Sequence, residues 1–283
     1  DTVTGAPVVI SGCTVRNYTN RFVYVSLSGK IESLTIDDCI FIGADNSTTN
    51  KAIYASSAHT QVETLSVTNS TFLNFNTGSN YFFRINCGEE LVLMPVVLID
   101  HCTFYNCYDR RGVYLYNAGR STIKNCISAF SERRDDTKSF TAYGDESIVK
   151  NVISYNVDLY GSAPKENIIS KNPLFVDAEN GNFQLYKDSP AVGAGDDGSD
   201  LGDPRWGVST ENAPVGELPY ECFKKPYSLS PTTHSVRILW QTLDSNPSGT
   251  VYYGKTPDLG QKVTAETGWN VDGEGFVHVI ELT

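Results

Sequence analysis

The sequence is poor in the patterns that mark most folds. No stretch of its 283 residues carries a helical apolar period, which argues against helical bundles and βαβ architectures. There is no Cys-x-x-Cys pair, and His59, His101, His234 and His278 are scattered, so the usual zinc sites are excluded. The longest apolar run, around Leu91 to Ile99, is interrupted by Pro95 and is too short for a membrane-spanning helix. Positive charge is scarce as well. Lys and Arg number 22 against 33 Asp and Glu, and the net charge of -11 argues against nucleic acid or anionic membrane surfaces as partners. The hydrophobic fraction of 40% is nevertheless ample for a core. No signal peptide is visible, and residue 1 already stands inside a repeat, so the expectation is an N-terminus upstream and a longer parent chain.

What the chain does have is repetition. The segments Arg21-Phe-Val-Tyr-Val-Ser26, Lys51-Ala-Ile-Tyr-Ala-Ser56, Tyr81-Phe-Phe-Arg-Ile-Asn86 and Arg111-Gly-Val-Tyr-Leu-Tyr116 begin thirty residues apart, and Lys138-Ser-Phe-Thr-Ala-Tyr143 follows after twenty-seven. Such a period signals a solenoid. A second segment keeps the same phase: Ser11-Gly-Cys-Thr-Val15, Asp37-Asp-Cys-Ile-Phe41, Thr68-Asn-Ser-Thr-Phe72, Asp100-His-Cys-Thr-Phe104, Lys124-Asn-Cys-Ile-Ser128 and Lys150-Asn-Val-Ile-Ser154. Each copy follows a short apolar strand such as Leu34-Thr-Ile36, so each coil carries three strands. Alternation within the thirty-residue segment makes Val23/Val25, Ile53/Ala55, Phe83/Ile85, Val113/Leu115 and Phe140/Ala142 an inward set.

The corners supply an independent check. Gly12, Asp38, Asn69, His101, Asn125 and Asn151 precede the Cys position, and nearly all are residues that tolerate left-handed backbone angles, which predicts one sharp bend per coil. Four residues past the Cys position, Asn17, Gly43, Asn74, Asn106, Phe130 and Asn156 form a second column of similar chemistry. Cys13, Cys39, Cys102 and Cys126 share one position and are expected to stack inward as small hydrophobes. A disulfide between neighbouring coils stays open, and with seven cysteines at least one is left over.

These repeats resemble the right-handed parallel β-helices of the pectate-lyase-like superfamily. The run Asn172-Pro-Leu-Phe-Val-Asp177, Gly181-Asn-Phe-Gln-Leu185, Ser189-Pro-Ala-Val-Gly-Ala-Gly195 and Asp203-Pro-Arg205 resembles the C-terminal end of such helices in secreted bacterial proteins directed at polysaccharides. The resemblance covers residues 1–207. It implies an all-β fold and an extracellular or bacterial cell-surface location, but one fold hosts many functions.

Residues 208–222 read as a linker or junction, with Pro214, Pro219 and then Pro226 among polar spacers. In residues 223–283, Ser235-Val-Arg-Ile-Leu-Trp-Gln-Thr242, Thr250-Val-Tyr-Tyr-Gly254 and Phe276-Val-His-Val-Ile-Glu-Leu282 alternate as strands. They resemble a fibronectin type III-like sandwich, most closely the N-terminal domain of purple acid phosphatases. A complete sandwich of that type has two further strands, so this one is expected to be small and incomplete.

Function then rests on the outward side chains. Tyr24, Tyr54, Arg84, Tyr114 and Thr141 lie between the inward pairs and are expected to stack as an exposed row, flanked by Arg21, Lys51, Arg111, Lys138 and Tyr116. Aromatic faces stack on sugar rings and Arg forks onto a uronate carboxylate, so the row suits an acidic polysaccharide. Tyrosines stacked only to stabilise the sheet would give the same pattern. Binding is the first reading, with Tyr24, Tyr54, Arg84, Tyr114 and Tyr116 as the glycan-binding residues. The second is a polysaccharide lyase acting by β-elimination, with Arg84, Arg111, Lys138 and Tyr114 as catalytic groups. No cofactor is implied except that such lyases often use calcium, for which Asp109, Asp135 and Asp136 are the weak candidates. Glycoside hydrolysis ranks lower because the row carries no carboxylate pair. A third reading is a spacer in a larger surface assembly, or the front end of a metallophosphoesterase.

Overall fold

A computed structural model of the chain describes residues 4–18, 20–25, 30–43, 50–57, 61–75, 81–87, 96–116, 118–213, 222–229, 232, 234–242, 249–253, 261–265, 269–271 and 275–282. Among these, regular structure is β-strand apart from two single 3₁₀ turns, Ala178–Asn180 and Pro204–Trp206. The chain divides into two units, Asp1–Asn212 and Ala213–Thr283.

The first unit is a parallel β-solenoid. Its first face stacks Val8–Ser11, Lys30–Asp37, Gln61–Thr68 and Val96–Asp100, then the opening halves of Ser121–Ala129 and Ile148–Tyr155. Beyond a corner the second face stacks Thr14–Val15, Ile40–Ile42, Thr71–Leu73 and Thr103–Tyr105, then the closing halves of the same two long strands. The third face holds Arg21–Val25, Lys51–Ser57, Phe83–Cys87, Val113–Tyr116, Lys138–Ala142 and Asp158–Tyr160 in one six-stranded sheet. The thirty-residue period thus sets the register: Tyr24, Tyr54, Arg84, Tyr114 and Thr141 pair in sequence across neighbouring strands.

The first corner is built by the residues that the sequence marks for it. Gly12, Asp38, Asn69, His101, Asn125 and Asn151 all have φ between 48° and 65°. A left-handed backbone costs an ordinary L-residue roughly 1–2 kcal/mol, and Asn, Asp, His and Gly bear it best. The next residue turns inward: Cys39, Ser70, Cys102, Cys126 and Val152 are completely buried. The cysteines are more than small hydrophobes, because each thiol donates to the carbonyl two residues earlier, Cys39 to Asp37 at 3.2 Å, Cys102 to Asp100 at 3.3 Å and Cys126 to Lys124 at 2.9 Å. Ser70 does the same to Thr68 at 2.7 Å. These thiols, with Cys13 and Cys107, are free, and burial raises the Cys102 pKa well above the ordinary thiol range. The second corner column is less uniform. Asn17, Asn74, Asn106 and Asn156 are left-handed, whereas Phe130 is not and instead packs edge-on to Tyr108. Gly43 is there for space, since a Cβ would fall 2.3 Å from the Asn74 carbonyl oxygen.

Inside, Phe41, Phe72 and Phe104 stack nearly parallel with centroids 4.9 and 5.0 Å apart, matching the coil rise. Outside the second face lies a second core. The chain after Asn172 folds back along the coils, so that Phe183, Leu185, Ala191 and Leu201 cover Leu73, Tyr105, Ile127, Ala129 and Ile153. Residues 208–211 hydrogen-bond to this layer, Ser209 N to Leu185 O at 2.7 Å and Lys187 N to Glu211 O at 2.8 Å. Pro214 and Pro219 lie outside the described residues.

The second unit has a four-stranded antiparallel sheet in the order Cys222–Leu229, Val236–Thr242, Gly275–Leu282, Trp269–Val271, and a hairpin of Gly249–Tyr253 with Gln261–Ala265. Alternation places Ile238 and Trp240 on one face with Ile280 and Leu282, where Val251 and Val263 of the hairpin pack against them. Trp240 stacks on its cross-strand partner His278 with centroids 5.0 Å apart.

Candidate functional site

The third face presents a ladder in which cations and tyrosines alternate. At the start of each repeat stand Arg21, Lys51, Tyr81, Arg111 and Lys138, and three residues later Tyr24, Tyr54, Arg84, Tyr114 and Thr141. The third repeat swaps the two residue types. That swap lets Arg84 reach three rings in two neighbouring coils and its own: its guanidinium carbon lies 4.6 Å from the Tyr81 centroid, 5.7 Å from Tyr54 and 5.9 Å from Tyr114. It also donates to the Tyr54 hydroxyl at 3.3 Å and to that of Tyr81. Arg21 lies between Tyr24 and Tyr54 at 4.3 and 4.4 Å, and Arg111 sits 4.8 Å over Tyr114. Cation–π contacts of this kind contribute about 0.5–2 kcal/mol each, depending on desolvation.

Exposure falls along the row, which the sequence reading did not anticipate. Tyr24 is 52% exposed, Tyr54 and Arg84 are half-buried, Tyr114 is only 7% exposed and Thr141 is fully buried. Tyr114 is covered because Tyr81 and Tyr116 stack on it nearly parallel, both with centroids 5.8 Å away, while Tyr143 approaches edge-on. Tyr116 takes its place at the surface, at 37% exposure. Tyr81 and Tyr143 are therefore part of the site although absent from the expected set; the signal for Tyr81 was its phase with Arg21, Lys51 and Arg111. Lys51 is buried, donates to the Tyr81 carbonyl at 3.0 Å, and burial lowers its pKa with Asp109 opposing the shift.

Among the described residues, Arg21, Arg84 and Arg111 pair with no carboxylate, and the Nε atoms of Arg21 and Arg84 are buried without a hydrogen-bond partner. Lys138 differs. Its Nζ lies 3.2 Å from Asp158, which also accepts from Arg133 with both oxygens at 3.0 Å. Burial alone would raise the Asp158 pKa, but these two cations hold it below the ordinary carboxylate value. Of the four residues expected to act in elimination, the fold thus brings Arg84, Arg111 and Tyr114 together and leaves Lys138 engaged elsewhere. The calcium candidates do not form a ligand set. Asp109 is completely buried, whereas Asp135 and Asp136 are exposed and Asp135 pairs with Arg133 at 3.3 Å. No group of three or more metal-ligating side chains occurs among the described residues. No helix there is long and apolar enough to cross a membrane.

Comparison with known proteins places two domains of unknown function on the solenoid unit. Residues 1–75 match one (DUF4957) and residues 97–206 match another (DUF5123). No curated protein matches the chain.

Proposed function

We propose that the third face of the solenoid binds an acidic polysaccharide outside the cell, as expected of a pectate-lyase-like β-helix, with the second unit serving as a fibronectin-like spacer. The observation that carries this reading is a row of guanidiniums that form no ion pair among the described residues. In a chain of net charge -11, three of them line one face, while the buried Asp109 acts on Lys51. Holding like charges together unneutralised is unfavourable, and an incoming polyanion removes that cost. The tyrosines fix each guanidinium in place, so forked hydrogen bonds to carboxylate or sulfate oxygens form with little loss of side-chain entropy. Tyr24 and Tyr116 supply the faces for sugar rings.

Binding is preferred to elimination because Lys138, one of the four groups expected to act in elimination, is held by Asp158. The test is gel retardation on polygalacturonate, alginate and a sulfated glycan beside neutral glucans, with absorbance in the near ultraviolet for unsaturated products. Retention on the acidic glycans alone is expected, with Arg84→Ala/Arg111→Ala losing at least tenfold in affinity. Equal retention on neutral glycans removes the electrostatic reading, and release of unsaturated products restores the lyase.

A further inference from the structure

The second site lies on the opposite flank of the molecule, where the fold-back chain meets the first corner. The turn at residues 195–199 is anchored to the solenoid at Asp196 by Lys124, Lys150 and Asn125, and its far end, Ser199, is held by one histidine. His101 Nδ1 lies 2.8 Å from Asp100 Oδ1, and its Nε2 lies 2.7 Å from Ser199 Oγ. Ser199 Oγ in turn bonds Asp197 Oδ1 at 2.5 Å, and Ser199 N donates to the same oxygen at 2.9 Å. At this contact is a cavity of about 370 Å³ with Ile127, Phe175, Phe183, Leu201 and Trp206 among its walls, along with His101 and Ser199.

Asp100, His101 and Ser199 have the connectivity of an acyl-transfer triad, but the hydrogens decide otherwise. The hydroxyl owns one proton and meets two acceptors if the imidazole is neutral, Nε2 and the Asp197 carboxylate. Every contact is satisfied only when the imidazole is doubly protonated, donating to Asp100 and to Ser199 while Ser199 donates to Asp197. The amides that would stabilise an oxyanion are also spent, Gly198 N on Gly195 O at 3.1 Å and Ser199 N on Asp197.

We propose that His101 is a proton-operated latch: its protonated ring ties Ser199, the end of the turn beside the cavity, to the solenoid corner. Deprotonation frees residues 197–199, while Asp196 stays anchored to Lys124, Lys150 and Asn125. The charges around it agree. Asp100, the last residue of its strand, directly precedes it, Asp197 acts on it from the turn, and Lys124 of the next coil is 3.4 Å from Asp100. Asp196 is already taken by Lys124 and Lys150 at 3.3 and 2.9 Å and by Asn125 at 2.9 Å, and Asp200 by Gly193 N at 2.8 Å. Arg205 is engaged further along the corner by Asp38 and Asp203. The hydrogen bond to Asp100 raises the His101 pKa, burial opposes it, and the charges of Asp100 and Asp197 add to the rise. A raised folded-state pKa means that the stabilisation is complete below the ordinary histidine pKa and is lost as pH climbs through the raised one. The latch therefore opens on the alkaline side.

The experiment is amide hydrogen exchange of residues 193–203 at a series of pH values, corrected for intrinsic exchange, with NMR titration of the His101 ring in the same protein. Protection of residues 197–199 is expected to fall as pH passes the His101 midpoint, about tenfold for each unit by which that midpoint exceeds the free imidazole value. His101→Asn keeps the residue type found at 69, 125 and 151 in the same corner column, and is expected to flatten the pH dependence. Ser199→Ala leaves the corner intact and is expected to lower the midpoint. Protection that ignores the titration, or persists with the same pH profile in both variants, overturns the latch. So does rapid labelling of Ser199 by a fluorophosphonate that His101→Asn abolishes, because the imidazole would then be serving as a base.

Discussion

The two flanks of the solenoid treat charge in opposite ways. Along the first corner every charged side chain that reaches the fold-back chain is matched: Asp196 to Lys124 and Lys150, and Arg205 to Asp203 at 2.8 Å and Asp38 at 2.7 Å. On the third face Arg21, Arg84 and Arg111 rest on tyrosine rings and form no ion pair among the described residues. Paired charges at the corner hold a segment down, so removing one partner should cost stability. The guanidiniums of the third face contribute less to holding the fold, through tyrosine contacts, and on the proposed reading removing one should cost mainly binding. On that reading, the difference separates charge that holds the fold from charge left for a ligand.

The sharpest way to break this comparison is at Arg205. Asp203 is completely buried and accepts from Thr71 Oγ1 at 2.7 Å, the Arg205 amide at 3.1 Å and the Arg205 guanidinium at 2.8 Å. Burial raises its pKa despite these partners. Arg205→Ala leaves that carboxylate without its cation, and a loss of about 3–5 kcal/mol at neutral pH is expected by thermal or denaturant unfolding. Because the folded-state pKa is raised, the loss should shrink as pH falls through it, when the carboxyl takes up a proton. A loss below about 1 kcal/mol at neutral pH would mean that the fold-back layer holds through its apolar contacts and the Asp196 anchors without this ion pair.

The next effect is smaller and tests the corner itself. Asn125 is left-handed at φ 51°, donates to Asp100 at 3.1 Å and Asp196 at 2.9 Å, and accepts from the Asp196 amide at 3.1 Å. Asn125→Ala should cost about 2–3 kcal/mol, combining roughly 1–2 from the backbone with lost hydrogen bonds, while Asn125→Gly should recover the backbone part. Equal losses for the two would show that the angle carries no strain.

Much of this was legible beforehand, and the reasons are local. The left-handed corner is a property of single residues, so Asn69, Asn125 and Asn151 announce it, and the period carries register as far as Arg84 opposite Tyr54 and Tyr114. Exposure is not local. Tyr114 occupies the same repeat position as Tyr24, yet Tyr81, brought over it by a corner one coil away, hides it. Nothing in the repeat could show that Ser199 meets His101 across 98 residues, because the fold-back chain has no period. Phe130 shows the converse, a column position kept in phase but not in conformation.

The smallest effects belong to the third face. Lys138 and Asp158 form an ion pair whose side chains are 24% and 46% exposed. Water screens such a pair, and Arg133 remains on Asp158 when Lys138 is gone. Lys138→Ala is therefore expected to change unfolding free energy by less than about 1 kcal/mol and glycan retention by less than twofold. Arg84→Ala removes its contacts to three tyrosine rings and should cost about 1 kcal/mol of stability, yet weaken retention on acidic glycans severalfold. The informative quantity is the ratio of the two changes in each variant. If Lys138→Ala reduces retention as much as Arg84→Ala does, a cation already paired with Asp158 binds as well as an unpaired one, and the division of the two flanks by charge pairing fails.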